Sequence, residues 1–249
     1  MKYLAYCSYN GRAYEGFQRQ VDKPTIQGTL EEKISHFCGE NVQIHGVGRT
    51  DSGVHAIRYP FSFATKKDLE KPSVLRAINS LLPPDIRILS FQKVSDSFDA
   101  RHSCKAKVYE YRLTYGEIDP FQIGTITQIR RDDFDVDAFK AALNVFVGEH
   151  DFSNFTTKKD DKDSFIRIIE SIDVDADLEQ KKVVVRFKAN GFMTYQIRLM
   201  IGASIKVATN RMSLDELKGR LNEKPRHIVS FKAPPDGLYL VEAEYGDLL

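Results

Sequence analysis

No stretch of this chain reads as a membrane span: the most apolar run, Ile197 to Ala208, is interrupted by Arg198 and Lys206. Met1 to Asn10 holds neither a long apolar run nor a small-residue cleavage site, so a soluble, cytoplasmic protein with no membrane partner is expected. Cysteine is scarce. Cys7, Cys38 and Cys104 are odd in number, widely spaced and without a C-x-x-C pair or a histidine in zinc-like register, which argues against a disulfide framework and predicts reduced thiols. Neither sign of charge dominates, with 36 basic and 35 acidic side chains and a formal net charge of +1. The first hundred residues carry 13 basic and 11 acidic side chains and the remainder 23 and 24, so there is no basic tail and any basic surface is local. The glycine-rich phosphate loop, the G-x-G-x-x-G dinucleotide turn and the G-x-S-x-G nucleophile elbow are all missing, which leaves those chemistries without a motif.

What remains is an ordinary globular composition, 42% hydrophobic and 29% charged over 249 residues, enough for one large domain or two small ones. Tyr3 to Tyr9 reads as a strand ending at the turn Asn10-Gly11. Thr25 can cap a helix whose apolar residues Ile26, Leu30, Ile34 and Phe37 recur at helical spacing up to Gly39. Val42 to Val47 and Ala56 to Phe63 read as strands, Ser73 to Leu82 as a helix ended by Pro83-Pro84, and Ile86 to Val94 as a closing strand. That order is ferredoxin-like. A second round follows: strands at Lys105 to Tyr115 and Gln122 to Ile129, then a helix from Asp135 stopped by Gly148. Paired strands come next at Ile166 to Val174 and Val183 to Ala189, then helices at Thr194 to Thr209 and Ser213 to Leu221, and a last strand at Leu238 to Tyr245. Asp160 to Asp163 reads as an exposed loop, and Lys158-Lys159, offset by Asp160-Asp161, as a solvated face. The expectation is an α+β fold of two ferredoxin-like halves with mainly antiparallel sheets, 1–100 and 101–249, related by element order and not by repeated sequence.

Between the second and third expected strands lies Gly48-Arg49-Thr50-Asp51-Ser52-Gly53, too polar to be buried ladder. An aspartate in a turn commonly bonds its own backbone; here it can equally be presented to a ligand. Arg198 sits within a helix apolar around most of its circumference, so its guanidinium either snorkels to solvent, pairs with a structural glutamate, or meets Asp51 and keeps that carboxylate ionised. Alternation from Lys105 places Lys105, Lys107, Tyr109 and Tyr111 on one strand face, cations before aromatics, a pattern suited to phosphates and unstacked bases as well as to an ordinary edge strand. His45 and His55 flank the Asp51 loop but fit no standard metal spacing.

Four blocks resemble the tRNA pseudouridine synthase A family across nearly the whole chain. They are Tyr14-Glu15-Gly16-Phe17-Gln18-Arg19-Gln20 with Thr25-Ile26-Gln27-Gly28; Gly48 to Ala56; Phe98-Asp99-Ala100-Arg101 leading to Lys107-Val108-Tyr109-Glu110-Tyr111; and Gln196-Ile197-Arg198 to Gly202 with Ala233 to Tyr239. The second is the most specific. The resemblance implies two ferredoxin-like halves with a cleft between them, and a homodimeric isomerase (an intramolecular transferase) that needs no cofactor or metal. Its substrate would be uridine in the anticodon stem-loop of tRNA, at positions 38 to 40. It assigns Asp51 as the catalytic aspartate, Tyr109 as the ring that stacks on the target base, Arg198 as the active-site arginine and Arg49 as the signature arginine. Arg58, Arg101, Lys105 and Lys107 are further candidates for RNA contact.

Departures from the family pattern are Asn10 where relatives usually carry aspartate, Ser52 where alanine is usual, and Thr194-Tyr195 where an aromatic or histidine pair is common. None removes a catalytic group, but a paralogue acting on other uridines or another RNA would look the same. The remaining rivals are a non-catalytic binder of structured RNA and a metal-dependent hydrolase built on His45, His55 and Asp51.

Overall fold

The computed structural model describes residues 1–157 and 165–246, so the readings for Lys158-Lys159 and for Asp160 to Asp163 fall outside the described residues. The fold is α+β, with mainly antiparallel sheet and, among the described residues, five α-helices. Two compact units divide it: Met1–Lys107 with the residues from Tyr239 on, and Val108–Leu238. The boundary expected at residue 100 thus falls at 107, and the closing strand belongs to the first unit and not to the second half.

In the first unit, β1 (Lys2–Tyr9) runs between β3 (His55–Ala64) and β4 (Ile86–Val94), antiparallel to both. The free edge of β3 is shared by two short partners. β2 (His45–Gly46) pairs with it antiparallel at Ser62 and Phe61, and β10 (Leu238–Glu244) pairs parallel at His55 and Ala56. Helix α1 (Ile26–Cys38) begins where the Thr25 hydroxyl accepts from the Gly28 N–H and ends at Gly39, whose φ of 69° is the left-handed conformation that lets the chain leave a helix. Its buried stripe of Ile26, Leu30 and Ile34 follows the helical period, and α2 (Pro72–Leu81) completes the layer. The strand expected over Val42 to Val47 shrinks to two residues because the Ile44 N–H is taken by the carboxylate of Glu31 on α1 instead of by a neighbouring strand.

The second unit holds the sheet order β5-β9-β8-β7, formed by Ala106–Thr114, Lys182–Ala189, Ile166–Asp177 and Gly148–Asp151. Of the strand expected at Gln122 to Ile129 only β6 (Thr127–Gln128) forms, parallel to β5; upstream, Asp119-Pro120 starts a 3-10 turn that takes the chain out of extension. Helix α3 (Val136–Asn144) is capped by Asp135 and ends four residues before Gly148, which opens β7 instead of stopping the helix. Helix α4 (Gln196–Ala208) is buried along most of its length, in keeping with its all-round apolar sequence, and α5 (Leu214–Asn222) follows from the Ser213 cap. No helix among the described residues is long and apolar enough to cross a membrane.

Candidate active site

Asp51 is half-buried in the connection from β2 to β3, and the backbone around it is held by the segment that follows β1. Phe17 N–H donates to Thr50 O at 3.4 Å, Gly53 N–H to Tyr14 O at 3.3 Å and the Ser52 hydroxyl to the same Tyr14 O at 3.3 Å. Val54 N–H closes the turn on Asp51 O at 3.2 Å. This seating requires two glycines. Gly16 has φ 86°, and a Cβ there would stand 2.4 Å from Thr50 O; at Gly11 it would stand 1.9 Å from Val54 O. The opening sequence block and the Asp51 block are therefore one physical object, two loops whose backbones touch.

A second set of contacts fixes the amino end of the loop. The Tyr59 ring stacks on Phe17 with centroids 4.0 Å apart, and its hydroxyl donates to Gly48 O while accepting from Gly48 N–H at 3.4 Å. One residue earlier, the Lys107 ammonium donates to Val47 O at 2.8 Å, and burial pulls its pKa below the usual lysine range because a charge out of water is disfavoured. Lys107 thus has an intramolecular role as an anchor. Behind the loop, buried His55 accepts the Gly11 N–H on Nδ1, which puts the proton of the neutral ring on Nε2, and stacks on Tyr239 at 4.7 Å. His45 is exposed on β2, and among the described residues no group of three His, Cys, Asp or Glu is placed to hold a metal.

Sequence reasoning passed over Glu31. Only 6% exposed, its carboxylate accepts from Arg19 at 3.0 Å, Gln27 Nε2 at 2.9 Å and Ile44 N–H at 3.0 Å, while Arg19 N–H donates to Gln27 Oε1. Buried carboxylates need such partners. Its signal was the Gln27/Glu31 pair at helical i,i+4 spacing, which fixes the rest of the first block to α1.

In the second unit, Arg198 is 7% exposed on α4 and exchanges two hydrogen bonds with one residue of the segment ahead of β10. Its Nε donates to Ala233 O at 2.7 Å, and Ala233 N–H donates to Arg198 O at 2.9 Å. One turn earlier, the guanidinium lies 5.3 Å from the centroid of the Tyr195 ring, which also carries the Lys232 ammonium at 3.8 Å. One turn later, Gly202 lets the Phe231 carbonyl approach to where a Cβ would be 2.4 Å away. The snorkelling alternative for Arg198 is excluded by its burial. Tyr109 is 9% exposed, with its ring edge-on to Phe192 at 5.3 Å. Tyr111 is fully buried, its hydroxyl shared between Thr127 Oγ1 and Pro234 O, and Ala106 and Val108 are buried on the opposite face. On this face Lys107 and Tyr111 are therefore committed to internal partners.

The remaining candidates lie in the first unit. Arg49 and Arg101 are exposed and line one groove; Arg58 is exposed with its guanidinium 3.7 Å above the Tyr6 ring; Lys105 is exposed, its backbone N–H bonded to Glu244 O at 2.7 Å.

The family described as tRNA pseudouridine synthase matches residues 5–103 and 142–246. The chain belongs to that family. Curated relatives named tRNA pseudouridine synthase A match over nearly their full length. That of Limosilactobacillus reuteri is 33% identical over 249 residues, covering 98% of this chain and 97% of the relative. That of Aquifex aeolicus is 33% identical over 239 residues, covering 96% and 97%. Among solved structures, a chain of an archaeal box H/ACA sRNP complex matches at TM-score 0.37 and 11% identity, over 82% of this chain and 44% of that one. The synthase is an isomerase acting on tRNA. Within the family frame, the blocks carrying Arg49, Asp51 and Arg101 fall in the first matched segment and Arg198 in the second, while Tyr109 lies in the interval between them.

Proposed function

We propose that this synthase converts uridine to pseudouridine in the anticodon stem-loop of tRNA, at positions 38 to 40, as a cytoplasmic homodimer built from two ferredoxin-like halves. The strand arrangement of the first unit, β4-β1-β3 with β2 on the far edge of β3, supports the ferredoxin-like reading for that half. Asp51 is the catalytic carboxylate, Tyr109 stacks on the target base, Arg198 is the active-site arginine and Arg49 binds substrate. The observation that carries the assignment of Asp51 is the seating of its loop: backbone bonds on both sides hold the main chain while the side chain stays half-exposed. A reactive group is effective when its position is set before substrate arrives.

The chemistry conserves atoms. The bond from C1′ to N1 breaks, uracil turns, C5 bonds to C1′, and the C5 proton leaves while N1 gains one, so no oxidant or group donor is needed. Asp51 either attacks as a nucleophile or removes the 2′ proton to give a glycal, and both routes require an ionised carboxylate in reach of the sugar. Lifting the base from its stack costs a few kcal/mol, against which aromatic stacking on Tyr109 supplies about 1–3 kcal/mol.

The test is tritium release from transcript tRNA labelled at uridine C5, comparing wild type with Asp51→Asn checked by thermal melting. Asp51→Asn is expected to bind tRNA within about threefold of wild type and to release no tritium. Release by the variant removes Asp51 from the chemistry, and no release by either protein points to another RNA or to a non-catalytic RNA binder. Mapping the modified positions in the product tests the anticodon stem-loop assignment.

A further inference from the structure

Among the described residues four that are not glycine have a left-handed φ, and three of them, Asp22, Lys181 and Asn210, stand exposed in turns. The fourth is Tyr195, half-buried at the head of α4 with φ 62° and ψ 3°. That conformation favours glycine or asparagine, and the N-cap position favours a short side chain whose oxygen accepts from the first turn. Tyr195 is neither, and its side chain makes no capping bond. The turn is imposed from around it. Met193 N–H donates to Gln196 Oε1 at 2.9 Å and Gln196 N–H to Met193 O at 3.0 Å, with Gln196 fully buried. The Thr156 hydroxyl donates to Thr194 O at 3.0 Å, and Leu199 N–H to Tyr195 O at 2.9 Å. A bulky ring kept at an unfavourable backbone position calls for a use of the ring.

That use is visible one turn along the helix. The centroid of the Tyr195 ring lies 5.3 Å from Arg198 Cζ, within cation–π range, while Arg198 Nε donates to Ala233 O at 2.7 Å. One hydrogen bond fixes a point of the guanidinium but lets its plane swing about the bond; an aromatic ring beside it restricts the swing. The ring is itself tied to the same segment, because Lys232, next to Ala233, holds its ammonium 3.8 Å from the centroid. We propose that Tyr195 is a positioning residue, whose ring sets the plane of the Arg198 guanidinium and so the direction of its other N–H donors. The inference rests on the reading of Arg198 as the active-site arginine and adds to it the group that orients it. Orientation matters here because guanidinium donors lie in one plane as a rigid fork, and hydrogen bonds weaken steeply when misaligned.

The experiment compares wild type with Tyr195→Phe, Tyr195→Leu, Tyr195→Gly, Lys232→Gln and Arg198→Met, all in the full chain. Three readouts are taken: thermal melting, saturating tritium-release kinetics, and the nitrogen–proton NMR signal of Arg198 Nε, whose proton is bonded to Ala233 O. Tyr195→Phe keeps the ring and is expected to keep the wild-type signal, with kcat within about threefold. Tyr195→Leu and Tyr195→Gly should both shift the signal, through loss of the ring's local field, and lower kcat about tenfold with KM for tRNA within about threefold. Glycine relieves the left-handed backbone, so Tyr195→Gly should melt above Tyr195→Leu without recovering kcat, a split that a purely structural role would not produce. Lys232→Gln should keep kcat within about threefold. A loss of about tenfold there would mean that the ring serves the lysine, and overturns the proposal. So do a wild-type signal and kcat in Tyr195→Leu and Tyr195→Gly, or a kcat that recovers with melting temperature in Tyr195→Gly. Arg198→Met tests the underlying reading: wild-type kcat in that variant removes Arg198 from the active site, whereas a kcat that needs Arg198 but is indifferent to the Tyr195 ring removes the positioning role alone.

Discussion

The Tyr59 hydroxyl bonds both ends of the same residue, donating to Gly48 O and accepting from Gly48 N–H. Gly48 is the first residue of the Asp51 loop, and a side chain on the nearby Gly46 would collide with that hydroxyl and with the Phe17 ring. One phenol on a central strand therefore sets where the loop begins.

Tyr59→Phe keeps the ring stack on Phe17 and removes only the hydroxyl. Loss of the bond to a partly buried carbonyl should lower unfolding stability by about 1 kcal/mol. Loop misplacement should lower kcat about tenfold or more with KM for tRNA within about threefold, since displacements near 1 Å cost about 10²-fold in rate. Urea melts and saturating tritium-release kinetics check the two halves. A stability loss with unaltered kcat removes Tyr59 from loop positioning.

Lys107 makes the complementary contact from β5, and its behaviour should separate anchoring from RNA binding. Lys107→Met is expected to lower kcat about tenfold while leaving the salt slope of tRNA binding as in wild type. A phosphate-contacting lysine would do the reverse, making the slope shallower by about 0.9 with kcat retained at saturation. Titrating binding against KCl beside single-turnover rates decides between them.

Much of this was readable before the structure, for identifiable reasons. The Thr25 cap, the Gly39 stop and the strand at Ile86–Val94 are local signals and appear where the spacing puts them. Val42 to Val47 failed as a strand because Glu31, remote in sequence and on another element, claimed the Ile44 N–H. On the Lys105 face, alternation identified the side of the strand but not the partners: the Tyr111 hydroxyl donates to Pro234 O, and Lys107 turns onto Val47. Among the candidate residues the sequence marked Asp51 and Arg198, but not the groups that hold each in its own unit. Tyr59 and Ala233 carry no chemical signal of their own, and their roles exist only through tertiary contacts.

Alkaline pH should destabilise the protein through its buried thiol. Cys7 is fully buried in β1, and burial raises its pKa far above the ordinary 9.0, so the folded state keeps the proton that the unfolded state releases. The unfolded chain then binds fewer protons above pH 9, and stability falls as pH rises, by up to about 1.4 kcal/mol per pH unit for one such group. The contribution is fully present below pH 9. Tyr111, also raised by burial, adds a fall of the same sign above its ordinary 10.0. Urea melts at pH 7.5, 9 and 10.5 should show a shallower decline for Cys7→Ala than for wild type. Parallel declines would mean that Cys7 does not contribute.

Gly202→Ala tests whether the segment lying on α4 positions Arg198. A methyl at 202 would stand 2.4 Å from the Phe231 carbonyl oxygen and 2.9 Å from its carbon, both backbone atoms that cannot rotate away. The segment must lift from the helix, and the nearest bonds to yield are those between Arg198 and Ala233, two residues further along. Overpacking of this kind costs about 1–3 kcal/mol, which thermal or urea unfolding will register. A purely structural role would stop there. Release of the Arg198 side chain from Ala233 O should also lower kcat about tenfold in the fraction that remains folded. Restoring that bond's geometry requires only the missing Cβ clash, so Gly202→Ser, with the same Cβ, should show the same kinetic defect. Wild-type kcat in a destabilised but folded Gly202→Ala would show that the Ala233 contact holds the fold and not the arginine's working position.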